Sequence, residues 1–169
     1  INPNLTFINA SCSGETNGSA EVVPTDGNGF YTYLWTPEPQ AGQGTNMVTG
    51  LFAGEWNITI TDTSGCDTTV MFTITEPQPL TADSLVTNAS CNLDPGDGSI
   101  ILMVSGGTPP YSYQWFDADG NDLGVNNDTI TDLTEGIYHS VVLDSNLCSA
   151  TFVAIVSENS GETISAESQ

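Results

Sequence analysis

Lysine and arginine are both missing from these 169 residues. Asp and Glu together number 21 and His one, so the formal charge is −21. Average usage would supply about 20 basic side chains in a chain this long. Without them nothing can neutralise a phosphate, which excludes nucleic acid as a partner and anionic membrane surfaces with it. Schiff-base and P-loop chemistry lose their lysine, and Lys–Asn isopeptide staples cannot form. Self-repulsion should keep the chain soluble and apart from its copies. No apolar run reaches 18 residues, so membrane insertion through a helix is excluded. The chain opens on Ile1 with no leader, which reads as a piece of something longer. The four cysteines show no CxxC spacing, which points to disulfides and an oxidising compartment rather than metal.

What is present is a repeat. Asn9-Ala10-Ser11-Cys12 recurs as Asn88-Ala89-Ser90-Cys91, and Gly18-Ser19 as Gly98-Ser99. Tyr31-Thr32-Tyr33-Leu34-Trp35 recurs as Tyr111-Ser112-Tyr113-Gln114-Trp115. Leu51-x-x-Gly54-x-Trp56 recurs as Leu133-x-x-Gly136-x-Tyr138, and Asp62…Cys66 as Asp144…Cys148. The register divides the chain into units at 1–78 and 79–161, with 162–169 opening a following repeat or linker. That pattern reads as a segment of a longer tandem array.

Within each unit apolar residues recur every second position, the period of a strand. Tyr31, Tyr33 and Trp35 share one face; Trp56, Ile58 and Ile60 alternate with Asn57, Thr59 and Thr61. Gly- and Asn-rich turns separate the runs, and no stretch offers a helical stripe. The expected class is all-β: two tandem immunoglobulin-like β-sandwich domains in an extended rod. Hydrophobic residues, at 38%, suffice for a core in each. The expected core aromatics are Tyr31, Tyr33, Trp35 and Trp56 in the first unit and Tyr111, Tyr113, Trp115 and Tyr138 in the second.

The series Cys…Gly-Ser…Gly106-Gly107-Thr108-Pro109-Pro110-Tyr111-Ser112-Tyr113-Gln114-Trp115…Leu-x-x-Gly-x-Tyr…Asp-x-x-x-Cys resembles the SprB-type repeats of Bacteroidetes cell-surface adhesins. The first unit departs from it at Gly27-Asn28-Gly29-Phe30 and at Trp56. The resemblance implies type IX export, display at the cell surface, a link to gliding motility, and no catalytic residues. The expected role is a structural or adhesive stalk, not an enzyme. Its partners would be neighbouring repeats of the same chain, another cell-surface protein or a glycan. The competing expectation is a glycan- or protein-binding accessory module of a secreted multidomain protein.

Cys12–Cys66 and Cys91–Cys148 are the simplest disulfide pairing of the three available, one bridge per unit. Against it, the end of strand A and the F–G turn lie at opposite ends of an ordinary sandwich; free buried thiols compete with it. Asp117, Asp119 and Asp122 form a weak Ca²⁺ candidate, against which an Asp-Gly-Asn turn explains every residue. No other cofactor is expected. His139, the lone histidine, matches Asn57 in register and falls on an outward face. Val141, Leu143, Val153 and Ile155, with Phe116, fall on outward positions that hold Thr and Met in the first unit. They form either a partner patch or, if a bulge swaps faces, core. Asp-Ser/Thr-apolar runs at Thr68, Ser84 and Thr129 resemble Bacteroidetes O-glycosylation sites.

Overall fold

A computed structural model describes residues 1–90 and 96–159. The chain divides into two compact units, Ile1–Pro79 and Leu80–Gln169. The segment 162–169 lies outside the described residues.

Unit 1 contains β1 (Asn2–Ile8), β2 (Gly18–Thr25), β3 (Tyr31–Thr36), β4 (Met47–Leu51), β5 (Gly54–Asp62) and β6 (Asp67–Ile74). They form two antiparallel sheets, β1-β2-β4 and β3-β5-β6. This is the A-B-E and C-F-G arrangement of an immunoglobulin-like sandwich. Unit 2 repeats it with β7 (Thr81–Thr87), β9 (Gly98–Ser105) and β11 (Thr129–Leu133) in one sheet. The other sheet holds β10 (Ser112–Phe116), β12 (Gly136–Leu143) and β13 (Ser149–Val156). Short β8 (Ala89–Ser90) pairs in parallel with β14 (Glu158–Asn159). The chain is therefore all-β, a tandem pair of immunoglobulin-like sandwiches.

The period-two pattern explains each core. Trp56, Ile58 and Ile60 on β5 point inward and are buried with Trp35, Val22, Leu51 and Ile74. Ile100, Trp115, Leu133, Val142 and Val156 do the same in unit 2. At Gly18 and Gly98 an added Cβ would lie 2.8 Å from the carbonyl oxygens of Leu51 and Leu133. Close strand approach thus accounts for the repeated Gly-Ser.

The edges are covered locally. The Gln43 side-chain amide accepts from Trp35 N–H at 3.0 Å and donates to Trp35 C=O at 2.9 Å, standing in for a strand. In unit 2 the backbone does this: Leu123 N–H donates to Trp115 C=O at 2.9 Å.

Candidate functional site

The repeated motifs are where any function common to both units would lie. In Asn9-Ala10-Ser11, the Asn9 Oδ1 accepts Thr75 N–H at 3.0 Å and Ala10 N–H donates to Thr75 C=O at 3.0 Å. In unit 2, Asn88 Oδ1 accepts Ser157 N–H at 3.2 Å and Ala89 N–H reaches Ser157 C=O at 3.0 Å. The motif stitches the first strand's exit to the last strand's end. Ser11 is held by Asn17, which accepts its N–H at 2.9 Å and donates to its Oγ at 2.7 Å. Asp97 replaces that amide and accepts both Ser90 N–H, at 2.6 Å, and Ser90 Oγ–H, at 2.7 Å. The two Ser90 bonds hold the Asp97 carboxyl below its ordinary pKa.

The Leu-x-x-Gly-x-aromatic motif is a corner. Tyr138 Oη donates to Thr134 C=O at 3.0 Å, four residues back. Trp56 performs the same closure with another atom, its Nε1–H meeting Phe52 C=O at 3.0 Å. Trp35 and Trp115 are fully buried, and each donates its Nε1–H to a loop carbonyl, Thr45 at 2.8 Å and Asn127 at 2.9 Å. Tyr31 and Tyr111 pack half-buried against the cores and donate to Asp26 and Gly106 carbonyls. Tyr33 and Tyr113 are also half-buried there. Burial pushes both phenols up, with Tyr31 adding at Tyr33 and Asp128 and Tyr111 at Tyr113.

The third motif holds residues that sequence reasoning missed as functional. Asp62 and Asp144 are buried at the turn between the last two strands. Asp144 Oδ1 accepts Asn146 N–H at 2.8 Å and Cys148 N–H at 2.9 Å; Oδ2 accepts Thr108 N–H at 2.8 Å. Asp62 does likewise with Ser64, Cys66 and Asn28 N–H groups at 2.9, 3.1 and 3.2 Å. Burial opposes ionisation of both, but the backbone N–H groups outweigh it and hold both carboxyls below the ordinary range. Each Asp clamps its own turn to the loop before β3 or β10. Recurrence at fixed register was the available signal.

The cysteines correct the sequence reading. Cys66 is free and exposed, so the expected Cys12–Cys66 bridge is not formed. The reason is distance. Cys12 follows the stitch to Thr75, at the Gly54/Ile74 end of β5 and β6, whereas Cys66 lies in the turn at their Thr61/Asp67 end. A nine-residue β5 separates these ends by about 27 Å, at about 3.4 Å per residue, against a disulfide Cα separation of about 6 Å. Cys12 and Cys148 are each disulfide-bonded. Cys91, half of the other expected bridge, lies outside the described residues.

The Asp117–Asp122 loop is closed on itself. Asp117 Oδ1 accepts Asp119 and Asn121 N–H at 3.0 and 2.9 Å, and Oδ2 accepts Asn121 Nδ2–H at 2.8 Å. Asp122 accepts from Gln114 Nε2–H at 2.9 Å and Gly124 N–H at 2.8 Å. Asn121 above all holds Asp117 below its ordinary pKa; Gly124 and then Gln114 do so for Asp122. Among the described residues no three His, Cys, Asp or Glu side chains converge on a metal-sized space. Of the Asp-Ser/Thr sites, Thr68 and Thr129 are half-buried and Ser84 is exposed.

The apolar patch residues face outward on β10, β12 and β13. Phe116 pairs with His139 and His139 with Val153; Val141 pairs with Thr151 and Leu143 with Ser149. Val153 and Ile155 are 57% and 62% exposed, while Phe116, His139, Val141 and Leu143 are half-buried. Val142, between two of them, is buried, so the strand keeps its alternation.

The SprB repeat family matches residues 4–39 and again residues 84–120. The two matches fall at equivalent positions of the two units. The SprB matches end within the loops after β3 and β10; the corner and the Asp turn lie beyond them. No curated protein matches the chain. Among solved structures, the amphioxus IgVJ-C2 molecule is 13% identical over 92% of this chain and 96% of its own, with a TM-score of 0.39. DIP-gamma IG1+IG2 is 13% identical over 94% and 98%, TM-score 0.43. The C-terminal 282-residue fragment of intimin, solved with the intimin-binding domain of its translocated receptor, is 16% identical over 92% and 64%, TM-score 0.40.

Proposed function

We propose that this SprB repeat pair is a non-catalytic spacer in a longer adhesin displayed outside the cell. One observation carries the reading: the Asn, Asp and corner aromatic side chains that recur in both copies are spent inside their own unit. Asn9 and Asn88 stitch strands, Trp56 and Tyr138 close corners, and Asp62 and Asp144 clamp turns. A recurring recognition site would instead leave recurring side chains free at the surface. The buried tryptophans are also withheld from any glycan, which aromatic-lined sugar sites would need on display. An extracellular place fits a disulfide-bearing chain. The strongly anionic surface, with no lysine or arginine, favours solubility along an array. Type IX export and a part in gliding motility are the finer form of this proposal, supported by the repeat family alone.

The test is replacement. In the parent protein, residues 1–161 are exchanged for an unrelated pair of immunoglobulin-like domains of equal length. Retained surface display and attachment are expected; loss of attachment with display intact would overturn the spacer reading.

A further inference from the structure

Cys66 is exposed and free, yet its register equivalent Cys148 is disulfide-bonded. The turns that carry them are alike. Asp62 accepts Cys66 N–H at 3.1 Å and Asp144 accepts Cys148 N–H at 2.9 Å, so each carboxylate presents its cysteine in the same way. What differs is the supply of a second thiol, not the site.

Each turn lies where the chain enters its unit. A Cβ added at Gly27 would meet both Ile1 Cγ1, at 3.1 Å, and Asp62 Oδ2, at 3.2 Å; one at Gly107 would meet Leu80 Cδ2 and Asp144 Oδ2, each at 2.8 Å. The Asn-Ala-Ser-Cys segment of unit 1 lies where the chain leaves, since Ala10 N–H donates to Thr75 C=O at 3.0 Å. Unit 1 thus has an entrance cysteine, Cys66, and an exit cysteine, Cys12. The length of β5 holds them about 27 Å apart, beyond the reach of a bridge. Cys12 is nevertheless disulfide-bonded. In a tandem array the chain that leaves one repeat at its exit enters the next at its entrance. Connectivity therefore offers each entrance cysteine the exit cysteine of the repeat before it.

We propose that Cys66 is one half of a disulfide whose other half is the exit cysteine of a repeat preceding Ile1. The partner is a thiol at the Asn-Ala-Ser-Cys position of another copy of this unit. Both S–H bonds break, one S–S bond forms, and a disulfide oxidant takes up the two hydrogens and becomes two thiols. The bridge clasps repeat to repeat and leaves each core untouched. This inference rests on the reading of the pair as part of a longer array. A reduced Cys66 in that array would remove the clasp and leave the spacer reading intact.

Peptide mapping of the parent protein, alkylated without reduction and then cleaved before Asp residues, decides it. Cuts before Asp62 and Asp67 isolate Cys66 in the peptide 62–66. The expected result is that this peptide carries no alkyl label and is linked to the exit-cysteine peptide of the preceding repeat until reduction separates them. Cys66→Ser in the parent should leave that one exit cysteine alkylated and every other bridge in place. In the 169-residue chain alone Cys66 should alkylate fully; protection there would overturn the proposal. So would an alkylated Cys66 in the parent, or a bridge from Cys66 to any other cysteine. A parent with no repeat before Ile1 would overturn the array and the clasp together, which keeps the two failures distinct.

Discussion

Asp144 accepts the backbone N–H of Cys148 at 2.9 Å, four residues ahead in the same turn. The equivalent pair in unit 1, Asp62 and Cys66, keeps the bond at 3.1 Å, although Cys66 is a free thiol. The carboxylate clamp is thus independent of what the sulfur does.

The clamp predicts a pH dependence. Its folded pKa lies below the unfolded value of about 3.9. A depressed carboxyl contributes stability that is complete above the unfolded pKa and lost as pH falls through the folded one. Asp144→Asn offers one acceptor oxygen to three donors, so it should lower the melting temperature of unit 2 at pH 7. The gap to the unsubstituted chain should close below about pH 4. Thermal melts from pH 7 to pH 2 check this; a gap that stays constant would mean the charge is immaterial.

Tyr138→Phe removes one hydrogen bond and keeps the ring. It should cost unit 2 about 1 kcal/mol in chemical denaturation, with unit 1 unaffected.

Ser140 predicts a gain. Its hydroxyl is fully buried with no hydrogen-bond partner, at the position that Ile58 fills in unit 1. Ser140→Ala should stabilise unit 2 by roughly 1 kcal/mol. Destabilisation in the same assay would show that the hydroxyl is satisfied.

Cys66 should alkylate under native, non-reducing conditions. Glu-specific digestion and mass spectrometry would locate the label, since trypsin has no site in this chain. Cys66→Ser should leave melting unchanged, whereas a bridge to Cys12 would have contributed about 4 kcal/mol.

These residues also mark what sequence could tell. Strand positions were legible because Tyr31, Tyr33 and Trp35 alternate, and alternation reports which face is buried. The corner was legible because Trp56 and Tyr138 keep one spacing. The bridge between Cys12 and Cys66 misled because repetition reports equivalence, not distance; the opposite-end objection that an ordinary sandwich raises is the one that holds, with β5 between the two. The role of Asp62 and Asp144 was hidden for another reason. Their partners are backbone N–H groups, which leave no trace in residue identity.

The central claim is that each unit folds around its own core and bears load alone. Pulling the chain from its two ends, with disulfides reduced, tests it most directly. The account predicts two separate unfolding events, each releasing about 240 Å of chain, the extended length of some 80 residues less the folded unit. One event releasing the length of both units together would contradict it.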